Sequence, residues 1–163
     1  MYVIHAGTVT SGFQFASGGA VGRGTDPSPF GAGTLALQHP HFKARGLDLA
    51  AEIPSLVWGT INVELEREVS LARADRTIPD IDWTSDGVPT RIPPETFSFV
   101  RCCFAFDDRY FPGLIYYPHP ETKPNTNRHR YDVLEVLTCR VDGLTMGSSA
   151  AIMCRADAFR THG

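Results

Sequence analysis

The chain has 163 residues, a formal net charge of -3 and 42% apolar residues. That is the balance of an ordinary soluble globular protein with enough chain for a sizeable core. The acidic balance excludes a broad electrostatic grip on nucleic acid, which needs a basic face. No apolar run approaches a membrane span, and the opening MYVIHAGTV lacks the regions of a signal peptide.

The expected location is therefore the cytoplasm, with neither a membrane nor a nucleic-acid partner. Cys102, Cys103, Cys139 and Cys154 form no CxxC pair. They read as small buried apolar residues in a reducing compartment.

Taken in order, residues 2–10 read as a strand, rich in Val and Thr. From Ser11 to Gly33 glycine recurs seven times, at Gly12, Gly18, Gly19, Gly22, Gly24, Gly31 and Gly33, which predicts a long loop of the kind that covers a pocket. LQHPHFKARGLDL predicts a short helix, with Pro40 at its first position and Gly46 at its stop. WGTINVELERE alternates strictly, with Ile61, Val63 and Leu65 on one strand face and Thr60, Asn62, Glu64 and Glu66 on the other.

Residues 70–94 read as irregular, punctuated by PDIDW and IPPE. ETFSFVRCCFAF, the most apolar segment, predicts a central strand. GLIYYP predicts the next one, after a turn at Pro112 and Gly113. His119 to Arg130 reads as a loop, YDVLEVLTCRV as a strand leading to an Asp142–Gly143 turn, and SSAAIMCR as the last strand. Six short strands with one or two short helices, and too few helices for a parallel sheet, predict one mainly β domain built as a small closed barrel.

Three constellations carry possible chemistry. Thr60 and Asn62 lie two apart on one strand face, so their Cα atoms are roughly 6.5–7 Å apart. Two hard neutral oxygens at that spacing suit a Mg²⁺ ion that takes its other ligands from phosphate; a solvent-facing strand would show the same pattern. The glycine-rich loop could form an anion nest, although it matches no phosphate-loop motif. His119, Lys123, Arg128, His129 and Arg130 gather positive charge in one loop, either as a phosphate grip or as a solvated surface.

These motifs together resemble the archaeal CTP-dependent riboflavin kinases. GTVTSG is similar to the family's opening G-x-V-x-S-G, GTINVEL to its G-T-L-N-V, and TNRHRYDVLEVL to its T-x-H segment and following L-E-[VI] strand. LTMGSSAAIMC occupies the place of its last turn and strand. The resemblance implies a cradle-loop β-barrel that moves the γ-phosphoryl of CTP to a riboflavin hydroxyl, giving FMN.

It implies Thr60 and Asn62 as ligands of the accompanying Mg²⁺, and His129 and Glu135 as residues lining the site, candidates for the catalytic groups. Gly7, Ser11, Gly12, Lys123, Arg128 and Arg130 are the expected nucleotide contacts. Trp58 replaces the family's proline before the G-T-L-N-V motif, and Phe13 and Phe15 enter the turn after S-G. Two other function classes stay open: a barrel that binds a nucleotide or small ligand without turnover, and an interaction domain with no pocket.

Overall fold

The computed structural model describes residues 1–11, 33–84, 87, 91–123 and 129–163. Among these residues the strands are β1 (Tyr2–Thr10), β2 (Ile61–Leu65), β3 (Val69–Leu71), β4 (Arg76–Ile81), β5 (Glu95–Phe106), β6 (Arg109–Pro118), β7 (Val133–Leu137), β8 (Ser149–Arg155) and β9 (Phe159–Thr161). Two short helices, α1 (Thr34–Ala44) and α2 (Leu49–Glu52), join β1 to β2, and Pro120–Thr122 forms a 3₁₀ turn. No described helix is long and apolar enough to cross a membrane.

The sheet runs β4-β5-β6-β7-β2-β1-β8, and β8 pairs back onto β5. All these pairings are antiparallel. The six strands β5, β6, β7, β2, β1 and β8 therefore close a ring, which makes the fold a small mainly β barrel. Closure needs a strand long enough to serve two neighbours. β5 spans 12 residues; its first half pairs with β4 and its second half, Cys102 to Ala105, with β8. The β3–β9 ribbon lies outside the ring.

Side-chain alternation sends the apolar residues of β5, β6 and β7 to two cores. Inside the ring lie Val9, Val63, Val100, Phe104, Ile115, Leu134, Val136 and Ile152. On the outer face of β5, β6 and β7, the side chains of Phe97, Phe99, Leu114, Tyr116 and Leu137 pack with Leu35 and Phe42 of α1 and Leu49 of α2. The Phe42 ring meets Phe97 and Phe99 edge-on, at 5.1 and 5.2 Å. The sequence of β5 encodes both cores at once, because it is apolar on its two faces.

The six expected strands are all present, with local corrections. The β5–β6 turn is Asp107–Asp108, both with positive φ (51° and 55°), the backbone of a two-residue hairpin turn that Asp tolerates. Pro112 and Gly113 instead lie within β6. Gly113 is required there because a Cβ would meet the Leu137 carbonyl at 2.8 Å.

The helix begins six residues earlier than expected. Gly33, with φ 94°, precedes it, and Pro40 falls inside α1; Gly46, at φ 88°, does end it. Residues 70–94 are more regular than their prolines suggest, because β3 and β4 pass through them; β4 absorbs Pro79 and Asp80 in a register shift between Ile78 and Ile81. The glycine-rich stretch expected as a pocket cover lies, from 12 to 32, outside the described residues.

Candidate functional site

Strand pairing builds the site. Thr10, Asn62, Glu135 and Tyr116 are successive partners across β1, β2, β7 and β6. Directly opposed residues share a sheet face, so this row lies on the outer face of the barrel, beside α1. Thr60, two residues before Asn62, joins it. The Thr60 hydroxyl lies 3.0 Å from Asn62 Oδ1 and 3.4 Å from Glu135 Oε1, donating to both acceptors in turn. Asn62 is 8% exposed, so the polar face of GTINV is buried against its neighbours and is not a solvated strand surface.

The Tyr116 hydroxyl closes the row toward the helix, donating to Gln38 Oε1 at 2.8 Å. Trp58 rests on His39 of α1 with ring centroids 4.7 Å apart. This contact fixes the segment that delivers Thr60. Glu95, at the head of β5, is buried and accepts a hydrogen bond from the Trp83 indole at 2.7 Å.

Burial raises the pKa of Glu135, against the opposing influence of Lys123 and the Thr60 hydroxyl. Burial likewise raises that of Glu95, against the Trp83 hydrogen bond and Lys123. Lys123 is thus the cation that both carboxyl groups feel.

The expected site residues divide. Thr60, Asn62 and Glu135 come together, and Lys123 lies within electrostatic reach. His129 packs instead between Tyr117 and Tyr131, at 5.7 and 4.5 Å between rings. Burial, with Lys123 adding to it, lowers its pKa to about 4, so it is a neutral imidazole at pH 7.

Arg130 is committed elsewhere: its guanidinium grips both oxygens of Asp132, at 3.0 and 2.7 Å, and reaches Glu64 at 2.9 Å. Gly7 has a packing role, since a Cβ there would overlap the Glu64 carbonyl of β2. Ser11 is exposed at the end of β1. Gly12 and Arg128 lie outside the described residues. The four cysteines are free thiols; Cys154 is buried and the other three half-buried.

Glu95, Tyr116 and Gln38 escaped the sequence reading. Glu95 did leave a signal: an acid alternating in phase with Phe97 and Phe99 on the most apolar strand. Nothing local marks Gln38, whose partner is 78 residues away.

On the other face of β5, opposite to the row's, His119 accepts or donates at both ring nitrogens, 2.7 Å from Ser98 Oγ and 2.8 Å from Glu121 Oε1. Ser98 in turn lies 2.7 Å from Thr77 Oγ1. Though the order Ser, His and acid looks catalytic, Ser98 is fully buried within the sheet. The chain of bonds instead clips the start of the Lys123 loop to β5. Thr122 reinforces the clip, accepting from the Thr96 amide at 2.9 Å and donating to the His119 carbonyl at 3.0 Å.

No His, Cys, Asp and Glu cluster of three or more is placed to hold a metal among the described residues. The donor set of Thr60, Asn62 and Glu135 is of another kind, one carboxylate with two neutral oxygens. A cation bonded to oxygens at 2.0–2.1 Å in octahedral geometry has adjacent ligands roughly 3 Å apart. The 3.0 Å separation of Thr60 Oγ1 and Asn62 Oδ1 fits such an edge. No protein-family model and no curated protein matches the chain.

Proposed function

We propose that the protein is a nucleotide- and Mg²⁺-dependent phosphotransferase of the riboflavin-kinase type, moving the γ-phosphoryl of CTP to a hydroxyl of riboflavin or a related acceptor. The observation that carries this reading is the convergence of the Thr60, Asn62 and Glu135 oxygens at the end of β2, in the motif that resembles G-T-L-N-V. Phosphoryl transfer is chiefly positioning and charge neutralisation.

Thr60 and Asn62 would hold the cation, which when bound offsets the charge of the nucleotide phosphates. For Thr60 to offer a lone pair its proton must turn away from Asn62, and Glu135 Oε1 is placed to receive it. The second oxygen of Glu135 remains for the acceptor hydroxyl. A carboxyl with a raised pKa is better matched to proton transfer near neutrality than an ordinary one. Lys123 supplies positive charge beside both carboxylates, while His129, neutral, packs on Tyr117 of the other sheet face and is not assigned a step.

The test is direct. The protein is incubated with riboflavin, CTP and Mg²⁺, and FMN is followed by chromatography, with thermal shifts recorded in parallel. CTP at about 100 times its dissociation constant should stabilise by roughly 2.7 kcal/mol, and only with Mg²⁺ present. Absence of any nucleotide shift under either condition refutes the proposal.

One observation favours the binding-only alternative: Arg130, an expected phosphate contact, is held by Asp132 and Glu64. A Mg²⁺-dependent shift without product would establish that alternative.

A further inference from the structure

Two of the four cysteines face each other across the seam that closes the barrel. β5 pairs with β8 over four residues, Cys102 to Ala105, and the first pair of this ladder sets Cys102 opposite Cys154. Cys154 lies in the barrel's inner core and Cys102 packs against it, so the two side chains share a face.

The backbone pattern fixes how close they come. Pro112, opposite Cys103 in the β5–β6 ladder, has no N–H, and its carbonyl accepts from the Thr138 hydroxyl at 2.8 Å, on the β7 side. Cys103 and Pro112 are therefore a non-hydrogen-bonded pair, and the backbone groups of Cys103 turn away from β6, toward β8. Other bonds along the same edge of β5 agree: the Phe99 carbonyl accepts from the Asp75 amide, and the Arg101 amide donates to the Asp75 carboxylate. Hydrogen-bonded and non-hydrogen-bonded pairs alternate along a ladder. Cys103 and Met153 are then hydrogen-bonded, and Cys102 and Cys154 are the non-hydrogen-bonded pair beside them. At such a pair the Cα atoms lie about 4.5 Å apart, with the side chains at their closest. Disulfides span Cα separations of roughly 4.4–6.8 Å.

We propose that Cys102 and Cys154 are a modification site, a dithiol that a low-molecular-weight disulfide oxidises to a cross-strand disulfide locking β5 to β8. The Cys102 thiolate attacks one sulfur of oxidised glutathione and releases the other half as a thiolate. The Cys154 thiolate then attacks the Cys102 sulfur of the mixed disulfide and releases the second half. Two cysteine thiols are oxidised, one glutathione disulfide is reduced to two thiols, and the two cysteine protons end on those thiols.

Cys102 is the point of entry. It is half-buried while Cys154 is fully buried, and it stands at the end of the ladder, where β5 leaves β8 for β4. Burial raises the pKa of both thiols, that of Cys154 to about 11, so exchange is slow at neutrality. No other pairing fits. Cys103 points to the opposite face of β5. Cys139 follows β7, which β6 separates from β5. Two strand spacings of about 4.8 Å exceed the roughly 7 Å that a disulfide bridges.

The test treats the folded protein overnight with oxidised glutathione at mildly alkaline pH, alkylates the remaining thiols and maps the peptides without reduction. One disulfide should form, joining Cys102 to Cys154, with Cys103 and Cys139 unbridged. The melting temperature should rise by roughly 5–10 °C, because the bridge closes a loop of about 50 residues, and dithiothreitol should reverse the rise. Cys103→Ser with Cys139→Ser should leave both the bridge and the shift intact, and Cys102→Ser alone should abolish both. Nucleotide plays no part in either readout. Four free thiols after oxidation would overturn the proposal. So would a glutathione adduct that persists on Cys102, which would place Cys154 out of reach, or a bridge between any other pair.

Discussion

The Thr60 hydroxyl has one proton and two acceptors, and that shortage defines the site. Thr60→Val would leave the Asn62 and Glu135 oxygens facing each other with no donor. The expected cost is about 1–3 kcal/mol, the penalty for unsatisfied buried polar groups, together with loss of Mg²⁺-dependent nucleotide binding. Asn62→Leu should be costlier than an alternating surface strand would suggest, because Asn62 is buried. Urea denaturation run beside nucleotide titration separates the two effects. A stability loss with unchanged affinity would make the pair structural.

Glu135→Gln tests the carboxyl. Its pKa is raised by burial, so between the unfolded value near 4.3 and the raised one the native state holds the extra proton. Stability from this group therefore falls as pH rises through that window and stays lower above it. Stability curves of wild type and Glu135→Gln should diverge with that sign, wild type losing ground to the variant as pH rises. The opposite sign would show that Glu135 is stabilised as an anion in the free protein.

His129 behaves in reverse, because its pKa is depressed to about 4. The native state binds fewer protons than the unfolded chain between about 6.5 and 4, so stability is lost as pH falls through that range. Its proton resonances should titrate near 4, and Lys123→Met should raise that midpoint by removing the nearby charge. A midpoint at the ordinary value would place His129 in solvent.

At the scale of elements, two glycines hold strand pairs at closer approach than a side chain permits. Gly7 lets β1 lie against the Glu64 carbonyl of β2, and Gly113 lets β6 lie 2.8 Å, from a would-be Cβ, off the Leu137 carbonyl of β7. Both contacts are with backbone, which cannot swing aside. Gly7→Ala and Gly113→Ala should each destabilise by several kcal/mol, within the range of overpacked or strained sites. Gly147→Ala, at φ 88° with open space around its Cβ, should cost only about 1 kcal/mol. Thermal melts of the three variants give the order directly, and equal losses would show that backbone conformation, not crowding, sets the cost.

For the whole molecule, the ring and the helix layer share β5. Phe97 and Phe99 point to the helices while Val100 and Phe104 point into the barrel, so neither core can dissolve and leave the other's wall intact. Unfolding should be a single transition. Trp83 belongs to the helix-side core and Trp58 packs on α1, so tryptophan fluorescence follows that side, while far-ultraviolet circular dichroism follows the strands. Their midpoints in urea should coincide. An earlier fluorescence midpoint would mean that the helix layer detaches first.

The sequence by itself determined the six ring strands, because each carries its own periodicity and turn residues. It also determined that Thr60 and Asn62 share a face, since a strand repeats every two residues. It did not reveal the β5–β6 turn at Asp107–Asp108, where acidic residues adopt a backbone usually marked by glycine, nor β3, β4 and β9, which are short or interrupted by proline.

Tertiary structure alone decided that the polar face of GTINV is buried, that Glu135 joins it from a strand 75 residues away, and that Arg130 spends its charge on Asp132 and Glu64. Local pattern fixes which face a side chain takes. What that face meets depends on strand register between distant segments, and register is settled only when the ring closes.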